Sequence, residues 1–172
     1  MDNDTDVDID GNPLRVLGVF YTPKYFSPNL KIFKYPSKTP AEVKEELENS
    51  FALFFCDPSS SGNHIRIALE NLLTYLKIKR YKDRAGKRTF LFLHSRIELL
   101  PRKYDDIRDL FYAIKWLGNA GSHSGKQVTA DDILDAYELM EELLAEVFTQ
   151  RSKKVKSLAK QINKIKGPKK TK

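Results

Sequence analysis

At 172 residues and 41% hydrophobic content the chain has enough length and apolar material for one domain with a core. No apolar run reaches the roughly 18 residues that a membrane-spanning helix needs. The net charge of +7 is unevenly spread, because residues 151–172 hold ten Lys or Arg and no acid. Subtracting that tail leaves the first 150 residues at −3, so the basic character belongs to the tail and not to the body.

Residues 1–13 form an acidic leader expected to be disordered, and such a start fits neither a signal nor a transit peptide. Asp6, Asp8, Asp10 and Gly11 match the opening of a calcium-binding EF-hand loop. The match ends at Leu17, which stands where the closing bidentate Glu belongs, so no metal site is expected. Residues 14–38 carry β-branched and aromatic residues broken by Pro23, Pro28 and Pro36, and predict an extended arm lying on the domain.

Residues 39–150 show helical periodicity throughout. The first helix is predicted to start at Pro40, with Thr39 as N-cap and Glu42 completing a capping box, and to run to about Phe55. Asp57 or a following serine caps a second helix over about 58–80. It buries Ile65, Ala68, Leu69, Leu72, Leu73 and Leu76, and places Arg66 and Glu70 at i,i+4 to pair. Residues 78–88 read as a basic connection hinged at Gly86. A third helix over about 89–100 ends at Pro101, and a fourth over about 104–117 ends with Gly118 as its C′ residue. Thr129 caps a fifth helix, whose stripe of Ile133, Ala136, Tyr137, Met140, Leu144 and Val147 is buried. Its acidic face (Asp135, Glu138, Glu141, Glu142) points to solvent. Residues 151–172 form the basic tail, partly helical through Val155, Leu158, Ile162 and Ile165 and then disordered. The expected fold is therefore all-α, an antiparallel bundle of about five helices with an extended N-terminal arm and a basic C-terminal tail.

The stretch Leu117 to Gly125 holds the residues best suited to chemistry, Asn119 and His123, four positions apart. The single cysteine, Cys56, excludes a disulfide framework, fits a reducing cytoplasm and reads as a buried, inert thiol beside Phe54 and Phe55. His64, His94 and His123 lack metal-ligand spacing, so neither a metal nor a cofactor is expected. Gly118, Gly121 and Gly125 follow no strand and precede no Gly-Lys-Ser/Thr, which rules out a P-loop.

Three segments resemble the bacterial domain-of-unknown-function 4145 family over about residues 40–148. Arg66 to Glu70 is similar to its R-x-x-L-E helix, Arg96 to Leu100 to its R-I-E-x-L segment, and Lys115 to His123 to its (K/R)-x-x-G-N-x-(G/A)-x-H signature. The resemblance implies a helical domain similar to the HEPN (higher eukaryotes and prokaryotes nucleotide-binding) class. Such domains commonly dimerise and occur in prokaryotic defence, restriction and toxin–antitoxin systems. Active HEPN ribonucleases carry an Arg, usually followed by Asn, with a His shortly after. Here Asn119 and His123 are kept and Gly118 stands in the place of the Arg.

Three functions follow as expectations. The leading one is a helical interaction or dimerisation domain, non-catalytic or weakly catalytic, of a prokaryotic defence or mobile-element module. In it Gly118, Gly121 and Glu70 are structural, and the partner is a second copy or another protein of the module. The second is a metal-independent ribonuclease, with His123 as base, Asn119 beside it, and Lys115 or Arg66 holding the developing phosphate charge. The third is non-specific RNA or DNA binding through Lys153, Lys154, Lys156 and Lys160 of the tail, joined by Arg66.

Overall fold

The computed structural model describes residue 21, residues 23–84, 86–123 and 128–165, with only the backbone given at 84, 119–123, 151–153 and 165. It is an all-α bundle with one small hairpin. The helices are α1 (Ala41–Leu53), α2 (Pro58–Tyr75), α3 (Leu93–Glu98), α4 (Arg108–His123), α5 (Ala130–Thr149) and α6 (Arg151–Ile165). Strands β1 (Tyr81–Arg84) and β2 (Lys87–Phe90) lie between α2 and α3, and a 3-10 turn, Arg102–Ile107, leads into α4. The acidic leader lies outside the described residues.

Helix α2 is the centre of the packing: α1 lies along it, and α4 and α5 pack on its other sides. The core is the sum of their apolar stripes, with Val43, Leu47 and Phe51 from α1 and Ile65, Ala68, Leu69, Leu72 and Leu73 from α2. Phe111 and Ile114 of α4 and Ile133, Ala136, Met140, Leu143 and Leu144 of α5 complete it. Full burial of each such side chain contributes about 1.5–3 kcal/mol, which makes these stripes the main source of stability. The arm supplies Phe33, which is buried edge-on against Phe51 with ring centroids 5.2 Å apart and also meets Tyr137 at 5.9 Å.

One polar cluster sits inside this core. The Tyr137 hydroxyl of α5 lies 2.8 Å from both Ser50 Oγ of α1 and Ser61 Oγ of α2, and the two serine hydroxyls are 2.9 Å apart. Burial raises the Tyr137 pKa, so the hydroxyl stays neutral and exchanges hydrogen bonds within the triangle.

The helix ends show where local chemistry decides. Asp57 caps α2 by accepting from the Ser60 N–H at 3.0 Å, and Thr129 with Asp132 forms a reciprocal capping box on α5. Helix α1 departs from expectation: Pro40 occupies the N-cap position with no side-chain cap. Thr39 instead closes a turn onto the Pro36 carbonyl, and its buried hydroxyl meets no partner among the described residues. Helix α2 stops at Tyr75, earlier than expected, because Lys77 adopts φ +63° and the Ile78 N–H returns to the Leu73 carbonyl. That 6→1 bond, with Lys77 N–H donating to Thr74, is a Schellman ending built without glycine.

The expected basic connection and the first turn of the expected third helix form the hairpin instead. Gly86 at φ +75° makes its turn, Tyr81 pairs with Phe90 across the strands, and Arg88 lies 4.1 Å over the Tyr81 ring. Cross-strand aromatic and cation–π pairing outweighs helix propensity in so short a segment. Gly118 also departs from expectation. It does not end α4, which continues through it to His123. The expected boundary of the 117–125 stretch therefore moves, and residues 124–127 lie outside the described residues.

Candidate functional site at the α2–α4 crossing

Gly118 is where α4 crosses α2, and the crossing is made of glycine on both sides. A Cβ at Gly118 would lie 3.1 Å from the Gly62 carbonyl oxygen and 3.1 Å from Arg66 Cβ. One at Gly62 would lie 2.9 Å from Ile133 Cδ1. Backbones this close tolerate no larger side chain without separating the helices. Gly62 is a buried residue in the second turn of α2. A second small residue near the expected loop, at helical distance from Arg66, was the signal for it.

Around the crossing the structure gathers three of the expected site residues. Arg66 Nη2 pairs with Glu70 Oε1 at 3.3 Å along α2, both side chains partly buried. Lys115, one turn before Gly118, is only 7% exposed, with its Nζ 3.4 Å over the centroid of the Trp116 ring. Burial first, and then the positive charge of Arg66, pulls the Lys115 pKa below the usual lysine value. Two cations therefore share one end of the α2–α4 contact with a single carboxylate. Arg66 Nε is buried there without a hydrogen-bond partner among the described residues.

Glu70 faces a second cation. Arg96 of α3 is fully buried and donates to the Glu70 carbonyl (3.1 Å), Thr74 Oγ1 (2.9 Å) and the Ile78 carbonyl (3.3 Å). It thereby adds a donor to the Glu70 carbonyl, which the Thr74 hydroxyl also reaches at 2.9 Å, and one to the Ile78 carbonyl just beyond α2. Burial lowers its pKa, opposed by the Glu70 charge. Its part is structural: it ties α3 and the stretch before the hairpin to α2. Arg96 was visible in the sequence only within a family motif, since nothing local distinguishes a buried arginine from a solvated one.

Asn119 and His123 occupy successive turns of α4 beyond the crossing, four positions apart on the backbone, with Gly121 between them. Lys154, Lys156 and Lys160 of α6 are exposed, and Lys153 lies on the same helix. They do not join the cluster. Lys156 lines a separate depression with Lys103, Tyr104, Glu142 and Glu146. His64 pairs with Glu46 at 2.7 Å and His94 with Glu98 at 3.6 Å. Cys56 is half-buried, its thiol 3.4 Å from the Leu53 carbonyl. Among the described residues no group of His, Cys, Asp or Glu is placed to hold a metal, and no helix is long and apolar enough to cross a membrane.

Among the described residues, a helical bundle whose α2–α4 crossing is glycine on glycine, with Arg66 and Glu70 paired beside it, defines a small all-α domain. The chain belongs to the family described as Domain of unknown function (DUF4145), whose profile matches residues 48–165, well over half of its length. No curated protein and no solved structure matches it. The matched span runs from α1 through α6, so it takes in the crossing, Arg96, the Lys115–His123 segment and the first part of the basic tail.

Proposed function

We propose that this chain is a helical interaction domain, non-catalytic or weakly catalytic, acting as a homodimer in a prokaryotic defence or mobile-element module. The supporting observation is Gly118. Where the ribonuclease resemblance asks for an arginine, the helix backbone lies against Gly62 and Arg66, and no cationic side chain fits. The position serves helix packing, while Arg66 pairs with Glu70 beside it along α2. The setting rests on the resemblance of the motifs to defence-associated HEPN-like domains.

One observation favours the ribonuclease as a second reading. Lys115 and Arg66 supply positive charge one turn before Asn119, and the depressed Lys115 pKa marks a desolvated cation of the kind that stabilises developing phosphate charge. In that reading His123 takes the 2′-hydroxyl proton and the cation pair holds the phosphate.

Incubating the purified chain with total RNA in the absence of metal, beside His123→Ala, separates the two. The expected result is no cleavage by either protein. Cleavage that disappears in His123→Ala would replace the interaction reading with the ribonuclease. Retention of RNA that is steeply salt-dependent and lost on deleting residues 151–172 would move nucleic-acid binding by the tail to the front.

A further inference from the structure

The face of α4 turned away from α2 is open. Between α4 and α5 runs a groove of about 870 Å³, floored by Leu110, Leu117, Leu139 and Ala145 and bordered by Asp135, Glu138, Glu141 and Glu142. It carries four carboxylates and no base. Helix α6 presents the complementary surface. Val155, Leu158 and Ile162 are 58%, 43% and 41% exposed, a helical stripe left open among the described residues. From Arg151 to Ile165 the helix carries six positive charges and no acid.

We propose that α6 docks by this stripe into the α4–α5 groove of a second copy of the chain, reciprocally in a two-fold dimer. The proposal rests on the homodimer part of the reading above and names its surface.

Three observations choose this occupant. The spacing fits: Val155 and Ile162 are seven residues apart, as are Leu110 and Leu117, so both pairs span about 10 Å along their helices. The charge fits: a cationic helix entering an acidic trough is attracted to it, while two α6 helices pairing with each other would bring like charges together. The connection excludes the chain's own groove, because a single residue, Gln150 at φ 48°, separates α5 from α6. Antiparallel helices joined in a hairpin need a loop of roughly two to five residues, so α6 cannot fold back along the α5 it follows. Among the described residues Lys156 reaches the edge of the groove, at Leu110 and Glu142, which line both the groove and a depression shared with Glu146 and Val147, while the apolar stripe stays exposed.

Sedimentation of the full chain at micromolar concentration tests this with two variants at exposed positions, Leu158→Glu on α6 and Glu138→Lys with Glu142→Lys on the groove. The expected result is a wild-type dimer that each variant weakens at least ten-fold. Mixing the two variants should give more dimer than either alone, because a mixed pair keeps one wild-type helix–groove contact and, in the other, the introduced carboxylate can pair with the introduced ammonium groups. Thermal melts checked by circular dichroism confirm that both variants are folded. Two results overturn the docking while leaving the dimer standing. In one, both variants dimerise as the wild type does. In the other, Leu158→Glu is monomeric and the mixture stays so. A wild-type monomer would remove the docking and the homodimer together.

Discussion

Helix α4 has two long faces, and they are built on opposite terms. Toward α2 it gives up side chains altogether, so that Gly118 and Gly62 bring backbone against backbone and Arg66 Cβ fills the remaining space. Toward α5's outer edge it keeps leucines, Leu110 and Leu117, yet leaves them half-covered under a border of carboxylates. The first face is closed to any partner larger than a hydrogen atom. The second leaves apolar surface half-covered, and in the docking proposed above its charged border selects a basic occupant. A helix thus has one side committed to the fold and one available for assembly.

Substitution should break this contrast in a graded way. Gly118→Leu forces a branched side chain into the α2 contact and should cost roughly 3 kcal/mol, read from urea unfolding. Gly62→Leu should cost less, because Ile133 Cδ1, the end of a flexible side chain, can move aside. Arg96→Met should cost about 2 kcal/mol by taking a donor from the Ile78 carbonyl and from the Thr74 hydroxyl, even though it also removes a buried charge. Asp57→Ala removes the α2 cap and should cost about 1 kcal/mol.

The acid dependence follows from the same caps. Donors from Ser60 and Thr129 lower the pKa of Asp57 and Asp132 in the folded state. The stabilisation is therefore complete above the unfolded aspartate value near 3.9 and is lost as pH falls through the folded values. Melting temperature measured from pH 6 down to pH 2 should drop, with a shallower fall in a variant carrying Asp57→Asn and Asp132→Asn. Lys115→Met should change stability by less than about 0.5 kcal/mol or raise it, since it relieves both burial of an ammonium and repulsion from Arg66. On the open face, Glu138→Lys with Glu142→Lys should leave unfolding of the isolated chain within about 0.5 kcal/mol and alter association alone.

The helices, the stripes of α2 and α5 and the caps at Asp57 and Thr129 were legible in the sequence, because periodicity and capping are local codes. The Arg66–Glu70 pair was legible for the same reason. Gly118 was misread, since a glycine after an apolar run looks like a helix stop whenever the neighbour that needs its missing side chain is 56 positions away in the chain. Thr39 and the hairpin failed for a related reason: a turn onto Pro36 and a ring pair between Tyr81 and Phe90 outweigh residue preference. The groove was half legible. The acidic face of α5 was expected to meet solvent, but nothing local to α4 marks Leu110 and Leu117 as half-covered beside it.

The hydroxyl triangle of Ser50, Ser61 and Tyr137 has a further consequence for how the chain selects one arrangement among many. Leucine-rich stripes alone let helices slide by a turn at little cost, because one aliphatic contact replaces another. Here a slide of α1 or α5 would pull one hydroxyl out of the triangle and bury it without a partner, at about 1–3 kcal/mol. Residues 87 positions apart must therefore meet in a single alignment before the core closes, and shifted compact states are penalised where an all-aliphatic centre would accept them.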